Sequence, residues 1–282
     1  MEYITLRNGV KLPMIGFGTY PLKGKDLRKN ILMANNIGYS LFDSAFLYQN
    51  EQDIGDCITD GILDRREVIL TSKIQGLQYT GRRRYLYLDK ISVDKAYRKA
   101  CGKFNTDYLD IYLLHSPFKG YTKAYEELIR LYEQNKVKVI GVSNFNENEL
   151  DALYRECGEY PMINQIELHP YNTMKSIVAY CKEHEIQVEA YSPFGRGNIV
   201  GEILNNPNLQ EIAVSHGKTV GQVVLRWIVQ QGIITIPRST NEERMKQNLD
   251  VFDFTLSEDE MKYIDSLNQN KGFGSHFQNK NV

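Results

Sequence analysis

Four residues able to hold or move a proton stand at or just beyond the ends of apolar, strand-like runs in the first half of the chain. Asp43 closes residues 40–42, Tyr48 follows five residues later, Lys73 ends residues 68–72, and His115 ends residues 109–114. Charges are rarely buried unless paired, so Asp43 requires a cation from elsewhere, and Lys73 on the next run supplies it. A phenol with a pKa near 10 is a poor acid or base at pH 7, and a nearby ammonium lowers that value. Asp43 would then hold Lys73 charged and in place, and Tyr48 would deliver a proton to a substrate oxygen. His115 would donate a second hydrogen bond that orients that oxygen. Such a proton donor is worth ~10²–10⁴-fold in rate. No nucleophile competes: there is no G-x-S-x-G, and none of Cys57, Cys101, Cys157 and Cys181 ends a strand-like run. A carbonyl accepting hydride is the reaction that matches.

Singly, each residue has a plainer reading. Asp43 and Lys73 could be a structural ion pair, and His115 a strand-end histidine bonded to backbone. Tyr48 could be one packed aromatic among 19 tyrosines. An acid, a cation, a phenol and an imidazole on three consecutive strand ends carry more weight together than apart.

The elements that must position them follow from periodicity. Residues 4–6 and 10–12 flank Arg7-Asn8-Gly9, and Asn-Gly between β-prone runs predicts a hairpin with a type I′ turn. Strand-like runs then recur at 14–18, 40–42, 68–72, 109–114, 137–142, 162–167, 187–191 and 233–237. Between them, Leu27/Ile31/Ala34, Leu128/Leu131/Tyr132, Leu150/Leu153/Tyr154, Ile177/Tyr180/Cys181 and Val220/Val223/Val224/Trp227 repeat at helical spacing. Ser257 with Glu260 three residues on predicts a capping box opening a final helix. Eight strand–helix units predict an α/β fold, a closed (β/α)₈ barrel with the hairpin closing its bottom. The main competitor, an open dinucleotide-binding sheet, is disfavoured at the first βα turn. Gly16-Phe17-Gly18-Thr19-Tyr20-Pro21 lacks the third glycine, and Pro21 stands where the helix should open. No Pro/Gly/Ser-rich linker divides the chain, so residues 1–282 are expected to form a single domain.

Composition narrows the remaining classes. Lys and Arg number 34 against 35 Asp and Glu, a net charge of −1, which gives no electrostatic case for nucleic acid or membrane surfaces. No apolar run reaches membrane-span length, and residues 1–7 lack a secretory pattern. The four cysteines lie far apart without metal-ligand spacing, so they read as separate thiols in a reducing cytoplasm, with no metal. Arg82-Arg83-Arg84 reads as a solvated loop or an aid to attracting an anion, and the polar end of the chain as mobile.

In a barrel of this kind, chemistry gathers at the C-terminal strand ends. Those ends add Ser143-Asn144, Gln165 and Glu167, Tyr191-Ser192, and Arg238-Ser239-Thr240. At this point the chain strongly resembles the aldo-keto reductases over nearly its whole length. The resemblance rests on Gly16-Phe-Gly-Thr19, Gly38-x4-Asp43-Ser-Ala-x2-Tyr48, Ser72-Lys73, Leu113-Leu-His115 and Gly141-Val-Ser-Asn-Phe145. It continues through Asn164-Gln-Ile-Glu-Leu-His-Pro170, Ala190-Tyr-Ser-Pro193 and Ile236-Pro-Arg-Ser239.

The resemblance implies a (β/α)₈ barrel that binds NADPH in extended form and reduces aldehydes, ketones or keto-sugars. It implies Tyr48 as general acid, tuned by Lys73 and Asp43, with His115 orienting the carbonyl. Ser143, Asn144 and Gln165 would bind the cofactor carboxamide, and Tyr191 would stack on the nicotinamide. Thr19, Ser192 and Phe194 would also bind the cofactor. Arg238, Ser239, Thr240 and Arg244 would grip a 2′-phosphate, with Gln247 and Asn248 at the adenine. Gln247 stands where glutamate is common, which leaves NADH as a weaker alternative. Tyr20, Leu47, Gln75, His115 and Ser116 would line the substrate pocket. Tryptophan is common at 20, 75 and 116, so this pocket should be wider and more polar, and the only tryptophan, Trp227, reads as a buried helix residue. A monomer acting on a small carbonyl compound is expected. A catalytically silent NADP(H)-binding barrel, serving as a redox-sensing or structural subunit, is the alternative, and retention of all four proton-handling residues argues against it.

Overall fold

The computed structural model describes residues 1–75, 79–80, 83–84 and 92–272. The chain opens with an antiparallel hairpin, β1 (Tyr3–Thr5) and β2 (Lys11–Pro13), registered Ile4 opposite Leu12. The hairpin is as expected but its turn is not type I′. Gly9 alone takes positive φ, at 85°, and its N–H donates to the Leu6 carbonyl (2.8 Å). Asn8 instead uses its Oδ1 to accept from the Val10 N–H (3.2 Å), which gives its side chain a turn-closing role without left-handed backbone. From the turn, Asn8 donates to the Lys138 carbonyl (3.0 Å) and Arg7 to Pro161 (3.2 Å), so the hairpin caps the bottom of the sheet that follows.

That sheet contains β3 (Phe17–Gly18), β4 (Leu41–Asp43), β5 (Ile69–Ile74), β8 (Leu109–Leu114), β9 (Val137–Ser143), β10 (Ile163–Glu167), β11 (Gln187–Tyr191) and β12 (Ile234–Thr235). A small ribbon, β6 (Tyr79–Thr80) with β7 (Arg83–Arg84), lies between β5 and β8 in sequence. All neighbouring pairs in the large sheet are parallel. Its two edge strands then meet. The Thr235 N–H donates to the Met14 carbonyl, the Gly16 N–H donates to the Thr235 carbonyl (both 2.9 Å), and Ile15 pairs with Thr235. Every edge is thereby paired, and the sheet is the expected (β/α)₈ barrel.

Around it run α1 (Gly24–Ile37), α2 (Glu51–Thr59), α3 (Val93–Phe104), α4 (Tyr121–Glu133), α5 (Glu147–Cys157) and α6 (Lys175–Glu183). They are followed by α7 (Asn198–Leu204), α8 (Pro207–Ser215), α9 (Val220–Gln230), α10 (Glu242–Leu249) and α11 (Glu258–Ser266). The periodic apolar positions mostly bury as expected, including Leu27, Ile31, Ala34, Leu128 and Leu153. Tyr154 does not: it is 52% exposed and stacks on Tyr160. Trp227 is buried with its Nε1 donating to Asp265 (2.9 Å), and the Ser257/Glu260 capping box is present. At the bottom, buried Asp110 pairs with Arg65 (2.8 Å) and Lys138 (2.9 Å), cations that flank the Tyr108 ring. The expected mobility of the chain end and the expected role of Arg82-Arg83-Arg84 lie outside the described residues, the β7 backbone apart. Among the described residues, no helix is long and apolar enough to cross a membrane.

Candidate active site

The strand register brings the four proton-handling residues together. Asp43 ends β4, Lys73 sits near the top of neighbouring β5, and His115 follows β8 on the other side of β5. Lys73 is fully buried, with Nζ donating to Asp43 Oδ1 (2.6 Å) and the Ser44 carbonyl (2.9 Å). Tyr48 closes a one-turn 3₁₀ helix, Phe46–Tyr48, that returns over this pair. Lys73 Nζ lies 5.0 Å from the Tyr48 ring centroid, and the His115 ring meets it edge-on at 5.8 Å.

The turn that presents Tyr48 is fixed from behind by residues whose roles the sequence did not announce. Buried Asn50 accepts from Ser44 Oγ (2.6 Å) and donates to Thr19 Oγ1 and the Leu22 carbonyl (both 3.0 Å). Thr19 in turn donates to the Asp43 carbonyl (2.7 Å). Buried Glu51 accepts from Ser72 (2.6 Å) and pairs with Lys103 (2.7 Å), whose ammonium sits 5.0 Å from the Phe46 ring. Buried polar groups satisfied on every side specify one loop conformation.

The electrostatics correct one expectation. Burial pushes the Tyr48 phenol up; Lys73 pulls it down, Asp43 pushes it up again, and the net shift is upward rather than downward. Tyr48 is therefore held as a neutral phenol, able to donate a proton. Burial disfavours the Lys73 ammonium, but Asp43 and Tyr48 outweigh it and its pKa ends raised. Burial, then the positive charges of Lys73 and Arg196, push His115 down to about 3. His115 is accordingly neutral across the physiological range. The acid limb of a kcat/KM profile should then show no histidine ionisation between pH 5 and 8, activity being lost only in alkali as Tyr48 deprotonates. An acid-side inflection near 6.5 would contradict a neutral His115.

Beside this cluster, strand ends form a continuous polar chain. The Tyr191 hydroxyl donates to Asn144 Oδ1 (2.8 Å), and Asn144 Nδ2 donates to Ser143 Oγ (3.0 Å) and the His115 carbonyl (3.2 Å). Ser143 Oγ donates to the Gln165 carbonyl (2.9 Å). Gln165 Nε2 donates to Asp43 Oδ1 (2.9 Å) and, in a short contact, to Glu189 Oε1. Glu189 was not anticipated. It is buried beside Asp43, and burial followed by the Asp43 charge pushes its pKa up. The signal was present: Gln187, Glu189 and Tyr191 alternate along one face of a barrel strand.

Asp43, Tyr48, His115 and the polar chain from Tyr191 to Gln165 face a cavity of about 1380 Å³. Its wall includes Tyr20, Asp43, Leu47, Tyr48, Gln75, His115, Ser143, Asn144, Gln165, Tyr191, Ser192 and Phe194. It also includes Arg238, Ser239, Thr240, Arg244, Gln247 and Asn248, so residues expected to hold both ends of an extended ligand share one space. Two expected lining residues are not on the wall. Thr19 is buried and engaged with Asp43 and Asn50, and Ser116 is buried behind Gln75, whose Nε2 reaches its Oγ at 3.4 Å. Arg196 is an addition: it lines the cavity, its Nε donates to Ser192 Oγ (2.9 Å), and its guanidinium lies 5.2 Å from the Tyr191 ring centroid. Among the described residues, no group of three or more His, Cys, Asp or Glu could hold a metal ion.

A parallel (β/α)₈ barrel with a phenol, an ammonium, a carboxylate and an imidazole at its strand C-termini defines the class. The model of the aldo/keto reductase family matches residues 14–269. The 9,11-endoperoxide prostaglandin H2 reductase of Trypanosoma cruzi is 38% identical over 280 residues, 96% of this chain and 93% of that protein. The glyoxal reductase of Bacillus subtilis is 37% identical over 279 residues, 97% and 95% of the two chains. The solved structure of a Bombyx mori aldo-keto reductase in complex with NADP superposes with a TM-score of 0.83 at 31% identity, covering 96% of this chain and 94% of that one. The chain belongs to the aldo/keto reductase family.

Proposed function

We propose that this protein reduces the carbonyl of aldehydes, ketones or keto-sugars to alcohols, with NADPH as hydride donor and Tyr48 as general acid. The observation that carries the reading is Tyr48 standing over the buried Asp43–Lys73 pair, beside a neutral His115, on the wall of a large cavity. The residues present fit the cofactor. Two guanidiniums and two hydroxyls, at Arg238, Arg244, Ser239 and Thr240, suit a phosphate. Gln165 commits its Nε2 to Asp43 and Glu189, which leaves Oε1 to accept from a carboxamide, and Asn144 and Ser143 extend that polar seat. Tyr191 offers a flat face for an aromatic ring.

NADPH supplies the hydride when bound; the protein supplies position and a proton. His115 directs the carbonyl oxygen toward Tyr48, whose hydroxyl proton passes to that oxygen as negative charge develops on it. Lys73 stabilises the phenolate left behind, and Asp43 keeps Lys73 charged in a buried site.

The test is NADPH oxidation with a carbonyl panel, NADH in parallel. Turnover with NADPH is the expected result, and tight cofactor binding without turnover on any carbonyl would overturn the reading in favour of a silent barrel. In the same assay, replacing Arg238 and Arg244 together with alanine should weaken NADPH binding by roughly 10²- to 10⁴-fold and leave NADH little changed, since each charge-assisted contact to a phosphate is worth about 1.5–3 kcal/mol. Equal weakening of both cofactors would place the arginines elsewhere than at the 2′-phosphate.

A further inference from the structure

We infer that Gln75 selects substrates carrying a second oxygen on the carbon next to the reacting carbonyl, that is, α-dicarbonyl and α-hydroxycarbonyl compounds. The inference rests on the carbonyl-reductase reading above and names the substrate class for that site. Gln75 and His115 leave neighbouring strand ends side by side: Ile74 and Leu114 are registered partners, and the His115 N–H donates to the Ile74 carbonyl (2.8 Å). The two side chains line the same cavity, so a group bound at His115 has its next carbon within reach of residue 75.

The Gln75 side chain is polar, buried to 4% exposure, and poorly used by the protein itself. Its Nε2 makes one long contact, 3.4 Å to Ser116 Oγ, and among the described residues its Oε1 accepts no hydrogen bond. A buried carboxamide in that state favours any ligand that pairs with it and disfavours one that leaves it dry. It also offers both a donor and an acceptor, so it can receive either a second carbonyl or a hydroxyl. A plain ketone supplies neither. Discrimination of this kind exceeds what shape alone gives, because the penalty falls on the unpaired protein group.

Three ketones on one skeleton read this directly: butan-2-one, butane-2,3-dione and 3-hydroxybutan-2-one. The intrinsic reactivity of the dione cancels when selectivity is compared between proteins rather than between substrates. In Gln75→Met, similar in shape but without either polar atom, kcat/KM for both oxygenated ketones relative to butan-2-one should fall about tenfold. The dissociation constant for NADPH, read by fluorescence quenching, should stay within about twofold, because Gln75 belongs to the substrate side of the cavity and not to the residues proposed for the cofactor. Gln75→Glu keeps an acceptor and loses the N–H, so it should retain the preference for the hydroxyketone and lose that for the dione. It also serves should the methionine variant fail to fold. An unchanged kcat/KM for the dione relative to butan-2-one in either folded variant, with butan-2-one still reduced, would overturn the inference alone. No NADPH-dependent reduction of any ketone or aldehyde by the unmodified chain would overturn the underlying reading instead.

Discussion

Tyr48→Phe lowers kcat for carbonyl reduction by about 10²–10⁴-fold and leaves NADPH binding within a few-fold of the unmodified protein. The substitution removes one oxygen and keeps the ring, so the contacts of that ring with Tyr20 and His115 persist. What goes is the phenolic proton beside the Asp43–Lys73 pair. Loss should appear in kcat and kcat/KM together, the pattern of an interaction made in the transition state. Stopped-flow measurement of NADPH oxidation, with binding titrated separately, checks both halves. A variant that turns over undiminished would transfer the proton-donor role to His115 or to solvent.

Lys73→Met has a second kind of consequence, because here catalysis and stability share a group. Lys73 is wholly buried, and its ammonium bonds Asp43, itself buried and joined through Gln165 to a second buried carboxyl group on Glu189. Removing the cation leaves acidic groups in a low-dielectric site without their counter-charge, which costs about 3–5 kcal/mol for a broken buried pair. Urea unfolding should therefore show a clearly lower midpoint with an unchanged slope. Activity should fall as well, since the phenolate formed on proton transfer loses the charge that stabilises it. The double variant Asp43→Asn/Lys73→Met separates the two effects. Stability should return to within about 1–2 kcal/mol, because the Asp43 charge goes with that of Lys73 and burial already favours the neutral form of the remaining Glu189 carboxyl, while turnover stays low. Recovery of activity in the double variant would mean that the pair serves the fold alone.

How far such residues can be read before a structure exists depends on what positions them. Asp43, Lys73 and His115 were legible because consecutive strands of a parallel barrel place their C-terminal ends side by side, so chain order maps onto space. Tyr48 was legible in position but not in tuning: the ammonium beside it argues for a lowered pKa, and only the extent of burial reverses the sign. Arg196 was invisible for a different reason. It precedes the seven-residue helix α7, one of two short helices between β11 and α9, and a segment that short carries little periodic signal. Thr19 and Ser116 were placed on the pocket wall by family pattern, whereas local hydrogen bonding turns both inward. Motif position gives the neighbourhood of a side chain; its rotamer is set by partners from distant parts of the chain.

The hydrogen-bonded chain from Tyr191 through Asn144 to the His115 backbone has a bearing on redesign. Tyr191 belongs to the seat proposed for the nicotinamide and His115 to the seat proposed for the carbonyl, and one asparagine braces both. The two specificities of the enzyme are thus unequally modular. Phosphate preference, proposed to rest on Arg238 and Arg244, could be exchanged without disturbing that brace. Reshaping the nicotinamide seat at Tyr191 or Asn144 cannot, and a library that varies those positions for a new cofactor will also be sampling new substrates.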